Sequence, residues 1–395
     1  MKRITTILAI ILTTIIVGCG GSKQSNDDLI IVDVTKSYPK KELILQNILD
    51  VEYILLDDIN DEFITHGRIA HIGNEILLGR NRNPAGDIFV FDKNGTGLKK
   101  INRQGQGPEE YLSMLNIILD EDNNEMLVYG ISNGYKITVY DLSGTFKRSF
   151  ANEKFLSPIF NFDWGHLLCG DDEFEFFDER QNRYMIISKQ DGSVIKEIQI
   201  PYKEKKMRRI INSSGRTVFD GPGNQALIPN RDSWILTEIS SDTIYQLLPD
   251  YRMIPFMIRT PSVQSMDPEV FLYPSVLTDQ YYFMQIVEKT AIRTETEIIY
   301  PRRDVMYDRQ EKSLFEYVVY NDDFSTKKQV SFAFEVISLG MPFFNNEIAF
   351  WRRLEAYELV DAYKNGELKD GKLKDLAATM NAESNPVIMV GKHKK

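Results

Sequence analysis

A spacing of 48 to 49 residues between three glycines constrains this chain more than any other feature. Gly95, Gly144 and Gly192 each close a polar turn between two β-rich apolar runs, within residues 88–101, 137–150 and 184–200. Asn94-Gly95 and Asp191-Gly192 are strong hairpin signals, because primed turns need positive φ. Leu142-Ser143-Gly144 fits a slightly longer loop. Two hairpins fill such a period, which gives four strands per unit, the size of a propeller blade. Weaker copies follow at 242–258, bent at Pro249-Asp250, at 315–332, bent at Asn321-Asp322-Asp323, and from Phe343 to Val390. Six units predict an all-β, six-bladed β-propeller with four-stranded blades over residues 29–395.

A ring of blades must tie its first unit to its last, or strand edges stay exposed. An N-terminal strand, either 29–34 or 53–56, is expected to complete the last blade beside 386–390. Insertions are expected near 207–223, 290–304 and 355–383. The last has helical spacing: Leu354, Tyr357, Leu359, Val360 and Tyr363, stopped at Asn365-Gly366, then Leu373, Leu376, Ala377 and Met380. Two short helices capping one face of the ring are predicted.

The first residues read as an export signal. Lys2 and Arg3 precede a 14-residue apolar run, Ile4 to Val17, too short to span a bilayer, which takes roughly 20 residues. The run ends in Ile16-Val17-Gly18-Cys19, which resembles the bacterial lipobox. That resemblance implies a signal peptide over 1–18, lipidation of Cys19 and a polar tether over 19–28. Several acyl chains at about 0.8 kcal/mol per buried CH₂ make a lasting anchor. The expected location is the cell envelope, anchored to the outer membrane on its periplasmic or surface side. The membrane is then a partner through the lipid. With Cys19 lipidated, Cys169 has no intramolecular disulfide partner, and its apolar run, Leu167-Leu168-Cys169-Gly170, reads as a buried core thiol.

Between the first two units stands Arg103-Gln104-Gly105-Gln106-Gly107-Pro108-Glu109-Glu110-Tyr111. Its glycines and proline force a tight backbone path. The stretch resembles the Gly-x-Gly-Pro-Gly-Glu-Tyr/Phe signature of NHL-like six-bladed propellers, with Glu109 in place of a third glycine. It is most similar to a family of exported six-bladed propeller lipoproteins of gut-type Gram-negative bacteria. Ser241-Asp242-Thr243-Ile244-Tyr245 and Asn385-Pro386-Val387-Ile388 resemble further motifs of that family. The resemblance implies fold and location but no chemistry. Gly105, Gly107, Pro108, Glu109 and Tyr111 are read as a blade-to-blade turn with Tyr111 packed inward. The alternative is a loop at the ring mouth, offering Arg103, Glu109 and Glu110 to a ligand.

Catalytic signatures are sparse. The four histidines, His66, His71, His166 and His393, show no zinc-type spacing, so no metal site and no cofactor are expected. The acidic run 120–125 lacks the calcium-loop register and reads as a hairpin turn. The basic stretch 203–209 reads as a solvated loop, and Tyr281-Tyr282-Phe283 as aromatics buried between blades. A net charge of −10 argues against nucleic acid as a partner. Trp164, Trp234 and Trp351 fall in different units, and their convergence on the ring's mouth would favour carbohydrate. Two functions follow. A non-catalytic binding or interaction module, taking a glycan, peptide or protein at a propeller face, is the first. The alternative is a hydrolase or lyase with its site in the central channel. A structural envelope protein is a third reading.

Overall fold

The computed structural model describes residues 29–57, 62–63, 68–81, 86–131, 134–171, 182–206, 209–211, 217–219, 226–290, 292–293, 298–332, 343–344 and 347–394. The lipobox with Cys19, the tether, His66 and much of the first two insertions lie outside the described residues.

Six sheets form the ring, and in blades 1 to 5 the four antiparallel strands, a to d, follow chain order from the axis outward. Blade 1 runs Ile69–Ile72, Ile76–Arg80, Asp87–Asp92 and Gly97–Asn102. Blade 2 spans Asn116–Asp120 to Phe146–Asn152, and blade 3 Leu156–Asn161 to Val194–Ile198. Blade 4 spans Leu227–Asn230 to Met253–Thr260, and blade 5 Val270–Leu277 to Ser313–Asn321. In blade 5 the third strand, Arg302–Asp308, begins inside the stretch expected to be an insertion.

The sixth blade takes three strands from the C-terminal end and one from the N-terminal end. Phe343–Phe344 pairs in parallel with the inner strand of blade 1, Phe343 opposite His71. Ile348–Leu354 and Val387–His393 follow. Leu49–Leu55 then adds antiparallel to Val387–His393, with Leu49 opposite His393 and Leu55 opposite Val387. Of the two expected closing strands, the second therefore closes the ring. The first, Ile30–Asp33, lies parallel to the outer strand of blade 4, with Ile30 opposite Met257. Lys40–Ile44 does the same on blade 5, with Lys40 opposite Glu316. The chain thus walks around the rims of blades 4 and 5 before entering blade 6. It fails to close the ring earlier because the short link between these strands spans only one blade at a time. Lys41 fastens the belt through ion pairs to Asp308 at 2.7 Å and Glu311 at 2.6 Å. Tyr53 donates to Asp323 at 2.6 Å and receives from Asn321 at 2.9 Å, tying the closing strand to blade 5.

The core lies in the seams between blades. Middle strands are covered on both faces, so they read as unbroken apolar runs rather than alternating ones. Ile88, Phe89, Val90 and Phe91 are all buried, as are Leu167, Leu168 and Cys169. Burial raises the Cys169 thiol, consistent with an inert core residue. Helices Ala356–Lys364 and Lys372–Thr379 form as the spacing predicts, and Gly366, at φ +69°, follows the first. They do not cap the opening of the ring. Leu359, Ala362, Leu373 and Ala377 pack with Tyr317, Val319 and Phe332, so the pair seals the seam of blades 5 and 6.

One contact recurs around the ring. In blades 1 to 3 the tip glycine of the c–d hairpin packs on the outer strand of the preceding blade: Gly95 on Leu55, Gly144 on Ile101 and Gly192 on Phe150. The amide of Asp57 donates to the Gly95 carbonyl at 2.8 Å, and Arg103 Nε to the Gly144 carbonyl at 2.9 Å. Gly95 adopts φ +91°, and a Cβ there would stand 2.1 Å from the Leu55 carbonyl oxygen. Gly134 shares the positive φ, +113°, but a Cβ there meets nothing within 4 Å. Gly95→Ala is therefore expected to lose about 2 kcal/mol or more beyond Gly134→Ala, since only the former adds overpacking to backbone strain. Urea midpoints of the two variants measure this, and equal losses would remove the seam contact from the account.

Candidate functional site

The Arg103–Tyr111 stretch links the outer strand of blade 1 to the inner strand of blade 2. Buried Tyr111 donates its hydroxyl to the Gly86 carbonyl at 2.6 Å and accepts from the Arg103 amide at 3.0 Å. Glu110 folds back to accept from the Gly107 amide at 2.8 Å. Lys136 and Tyr140 of blade 2 donate to the carbonyls of Pro108 at 2.5 Å and Glu109 at 2.7 Å. The close path past Glu110 uses the glycines: a Cβ on Gly105 would stand 1.8 Å from its carboxylate. Arg103 and Glu110 are thus spent on holding the seam, and Gly105, Gly107, Pro108, Glu109 and Tyr111 stand apart from the axial cavity described next.

Strand alternation puts all the a–b turns on one axial face. Within the a–b turns of blades 1 to 4 the axis opens into a cavity of 450 Å³. Phe160 and Trp234 line it with ring centroids 4.7 Å apart. Phe162 stands beside them, stacked on Tyr251 at 5.6 Å. Glu121, Asp122, Asp163 and Asp232 supply carboxylates, and Arg231 a guanidinium. Arg231 pairs with Asp279 in the blade 5 turn, at 2.5 and 2.6 Å.

The turns are braced against one another, which fixes the shape of the mouth. Glu121 of blade 2 accepts from the amides of Asn74, Glu75 and Ile76 in the blade 1 turn, at 2.7 to 3.0 Å. Lys189 reaches from blade 3 to Asp120 at 2.5 Å, both side chains buried. Asp163 accepts from the Gly165 and His166 amides and lies 2.8 Å from the His166 ring. Burial alone would raise the Asp163 carboxyl, but these hydrogen bonds outweigh it and hold it below the usual carboxylate range.

Of the three tryptophans, Trp234 lines the cavity. Trp164 projects into solvent, 72% exposed, from the adjoining blade 3 turn. Trp351 packs with Ile54 and Phe63 in the seam of blades 6 and 1. The three tryptophans therefore do not converge on the mouth. His71 stands at the cavity's inner end, buried, its Nδ1 accepting from the Leu119 amide at 3.3 Å. Among the described residues, no group of three His, Cys, Asp or Glu side chains is placed to hold a metal ion.

Sequence reasoning placed the hairpin at 120–125 correctly, between Asn116–Asp120 and Glu125–Ile131. It missed that Glu121 and Asp122 share a cavity with Asp163, Asp232 and Trp234. The usable signal was phase: each a–b turn sits at the same point of the repeat. A larger groove, 660 Å³, lies off axis between helix Ala356–Lys364 and strand Lys328–Val330. Its charges are mostly satisfied locally, by Arg353 with Glu355, Lys328 with Glu358 at 3.8 Å, and Arg352 on the Ser331 carbonyl. The axial cavity, where aromatic rings meet several carboxylates between turns of four blades, is the better candidate.

Fold and mouth together define a six-bladed β-propeller with an axial recess. A family model described as "6-bladed beta-propeller", DUF5128, matches residues 21–340, and the chain belongs to that family. Among solved structures, a putative exported protein from Bacteroides fragilis is similar at 16% identity and TM-score 0.58, over 92% of this chain and 100% of that one. A protein of unknown function from Bacteroides caccae is 12% identical, with TM-score 0.30, over 55% of this chain and 69% of that one. A streptogramin B lyase is 10% identical, with TM-score 0.33, over 72% of this chain and 96% of that one. The first supports the fold, and the other two carry no argument. No curated protein matches the sequence.

His71 gives the mouth a pH signature. Burial pushes its pKa from 6.5 down to about 3. The folded imidazole stays neutral, while the unfolded one takes up a proton below its model value of 6.5. Its contribution is complete above that pH and is lost as pH falls towards about 3, by up to about 1.4 kcal/mol per pH unit. His71→Gln is expected to flatten the loss of stability between about pH 7 and pH 5, where carboxylates titrate little. Denaturant titrations at the two pH values would show this, and an unchanged slope would contradict a buried neutral His71.

Proposed function

We propose that this protein is a lipid-anchored binding module of the bacterial cell envelope, with its ligand site in the axial mouth. The observation that carries the reading is the 450 Å³ cavity between braced turns, where Phe160 and Trp234 meet several carboxylates. Concave sites combining apolar walls with a few convergent polar groups are the usual form of ligand sites. Envelope location rests on the Ile16-Val17-Gly18-Cys19 lipobox behind a short apolar run. Anchoring would then come from acyl chains; among the described residues no helix is long and apolar enough to cross a membrane. The alternative, a channel hydrolase or lyase, requires an acid poised near neutral pH. Asp163 is held on the ionised side, so it is not such an acid.

Two experiments follow. The mature protein is expected to enter the detergent phase on partitioning and to carry acyl chains at Cys19 by mass spectrometry. Cys19→Ser should move it to the aqueous phase, and an unmodified wild-type terminus would end the anchoring claim. On arrays of glycans, peptides and small amines, Trp234→Ala is expected to lose at least about tenfold in affinity for whatever the wild type retains, comparable to a central aromatic contact. Undiminished binding by that variant, or no binding by the wild type, would count against the mouth.

A further inference from the structure

We infer that the mouth-side edge of blades 3 and 4 rests on the lipid surface, with the Trp164 indole seated in the membrane interface. The inference rests on the proposed anchoring through Cys19 and adds which part of the ring meets the bilayer.

The first ground is where the chain enters the ring. In blades 1 to 5 the a–b and c–d turns share the mouth side, so strand d runs from the mouth towards the far face. Ile30–Asp33 lies parallel to strand d of blade 4, with Ile30 opposite Met257 and Asp33 opposite Thr260. Followed backwards from Ile30, this strand points along Met257 to Met253, towards the mouth side. Only the ten residues 19–28 stand between the signal peptide and Leu29, the first described residue. Fully extended, such a length reaches at most about 35 Å. A lipid on Cys19 therefore keeps the rim of blade 4 close to the bilayer.

The second ground is what surrounds that point of entry. Among the described residues Trp164, at 72%, and Ile31, at 60%, are the most exposed large apolar side chains. Ile31 belongs to the entering strand itself. Trp164 tops the a–b turn of blade 3, which meets the c–d turn of blade 4 that leads into Met253–Thr260. Phe162 stacks on Tyr251 of that turn at 5.6 Å, and the Tyr251 hydroxyl lies 3.4 Å from His166 Nδ1. Lys196 of blade 3 donates to the Tyr251 carbonyl at 2.9 Å. Exposed Val194 and Ile195 precede it, at the mouth-side end of Val194–Ile198. Trp164, Val194 and Ile195 thus flank the turn beside which the chain departs towards Cys19.

The third ground is that the indole is held out on a braced turn. The Trp164 carbonyl accepts from Asn123 of blade 2 at 2.8 Å, and Asp163 caps the Gly165 and His166 amides. A rigid mount lowers the ordering cost of burying the ring on contact. Tryptophan is the side chain suited to the membrane–water boundary, with an apolar body for lipid and an N–H for headgroups. A net charge of −10 gives no general attraction to anionic lipid, so the contact is apolar and needs only a neutral bilayer.

The test reconstitutes the full lipidated chain in phosphatidylcholine vesicles whose acyl chains carry bromine, which quenches indole emission within the bilayer. Trp164→Phe supplies the background from Trp234 and Trp351. The Trp164 share of the emission is expected to shift to the blue and to be largely quenched. As a counter-probe, Leu112→Trp in the Trp164→Phe chain places an indole at an exposed position on the far face, beside the 103–111 link. Its emission should stay unquenched, while melting temperature checks that the variants are folded. Equal quenching at the two positions, or quenching at 112 alone, would overturn the inference. A blue shift at 164 without quenching would put protein, a second copy included, over the patch and overturn it as well. So would an emission at 164 that stays that of an indole in water. Mass spectrometry of the same sample separates the two readings. An unmodified Cys19 ends the anchoring claim and the inference with it, whereas an acylated chain with Trp164 still in water ends the inference alone.

Discussion

The antiparallel pairing of Leu49–Leu55 with Val387–His393 is the constraint on which the rest of this structure depends. It joins chain ends more than 300 residues apart and turns a curved row of sheets into a closed ring. An open row would expose two sheet edges and leave the a–b turns without a fixed spacing. With the ring closed, each inner strand has two neighbours, and the turns at one end can converge on a common recess. The belt formed by Ile30–Asp33 and Lys40–Ile44 extends the same logic outward, covering the rims of blades 4 and 5. The uncovered outer strands of blades 1 to 3 carry Lys99, Lys100, Lys147, Arg148 and Lys196, charges that discourage edge-to-edge pairing.

Burial between blades and bracing between turns act at different radii. Outside, apolar seams and the hairpin-tip glycines set how closely blades approach. Inside, polar contacts such as Glu121 on the blade 1 turn and Lys189 on Asp120 fix the angles at which turns meet. The link at 103–111 belongs to the first group, since Tyr111 and Tyr140 clamp it in the seam. Conformational precision at the mouth therefore comes from groups that are not themselves free to bind. Asp122 and Trp234, which face the recess, are set on a rigid rim.

Much of the fold was legible because backbone requirements write themselves into residue type. Gly95, Gly144 and Gly192 stand at φ +91°, +85° and +75°, conformations that favour glycine, and their spacing revealed the blade period. The helices announced themselves through Leu359, Leu373 and Ala377, although which seam they would seal depended on blade 5 side chains distant in sequence. Strand 30–33 was ambiguous because any apolar strand can complete a sheet edge, and only the ring's dimensions decide which edge it reaches. The mouth was least legible. An aspartate in a tight turn reads as turn chemistry, and Asp163 and Asp232 gain joint meaning only when blades 3 and 4 bring them to one axis.

Native-state hydrogen exchange of the full chain, read by mass spectrometry, tests ring closure most directly. If Leu49–Leu55 is an integral strand of blade 6, its amides will exchange as slowly as those of Val387–His393, through the same global opening. Amides of 49–55 exchanging within seconds while 387–393 stays protected would mean that the ring is not closed by this strand, and the mouth built upon it would lose its frame.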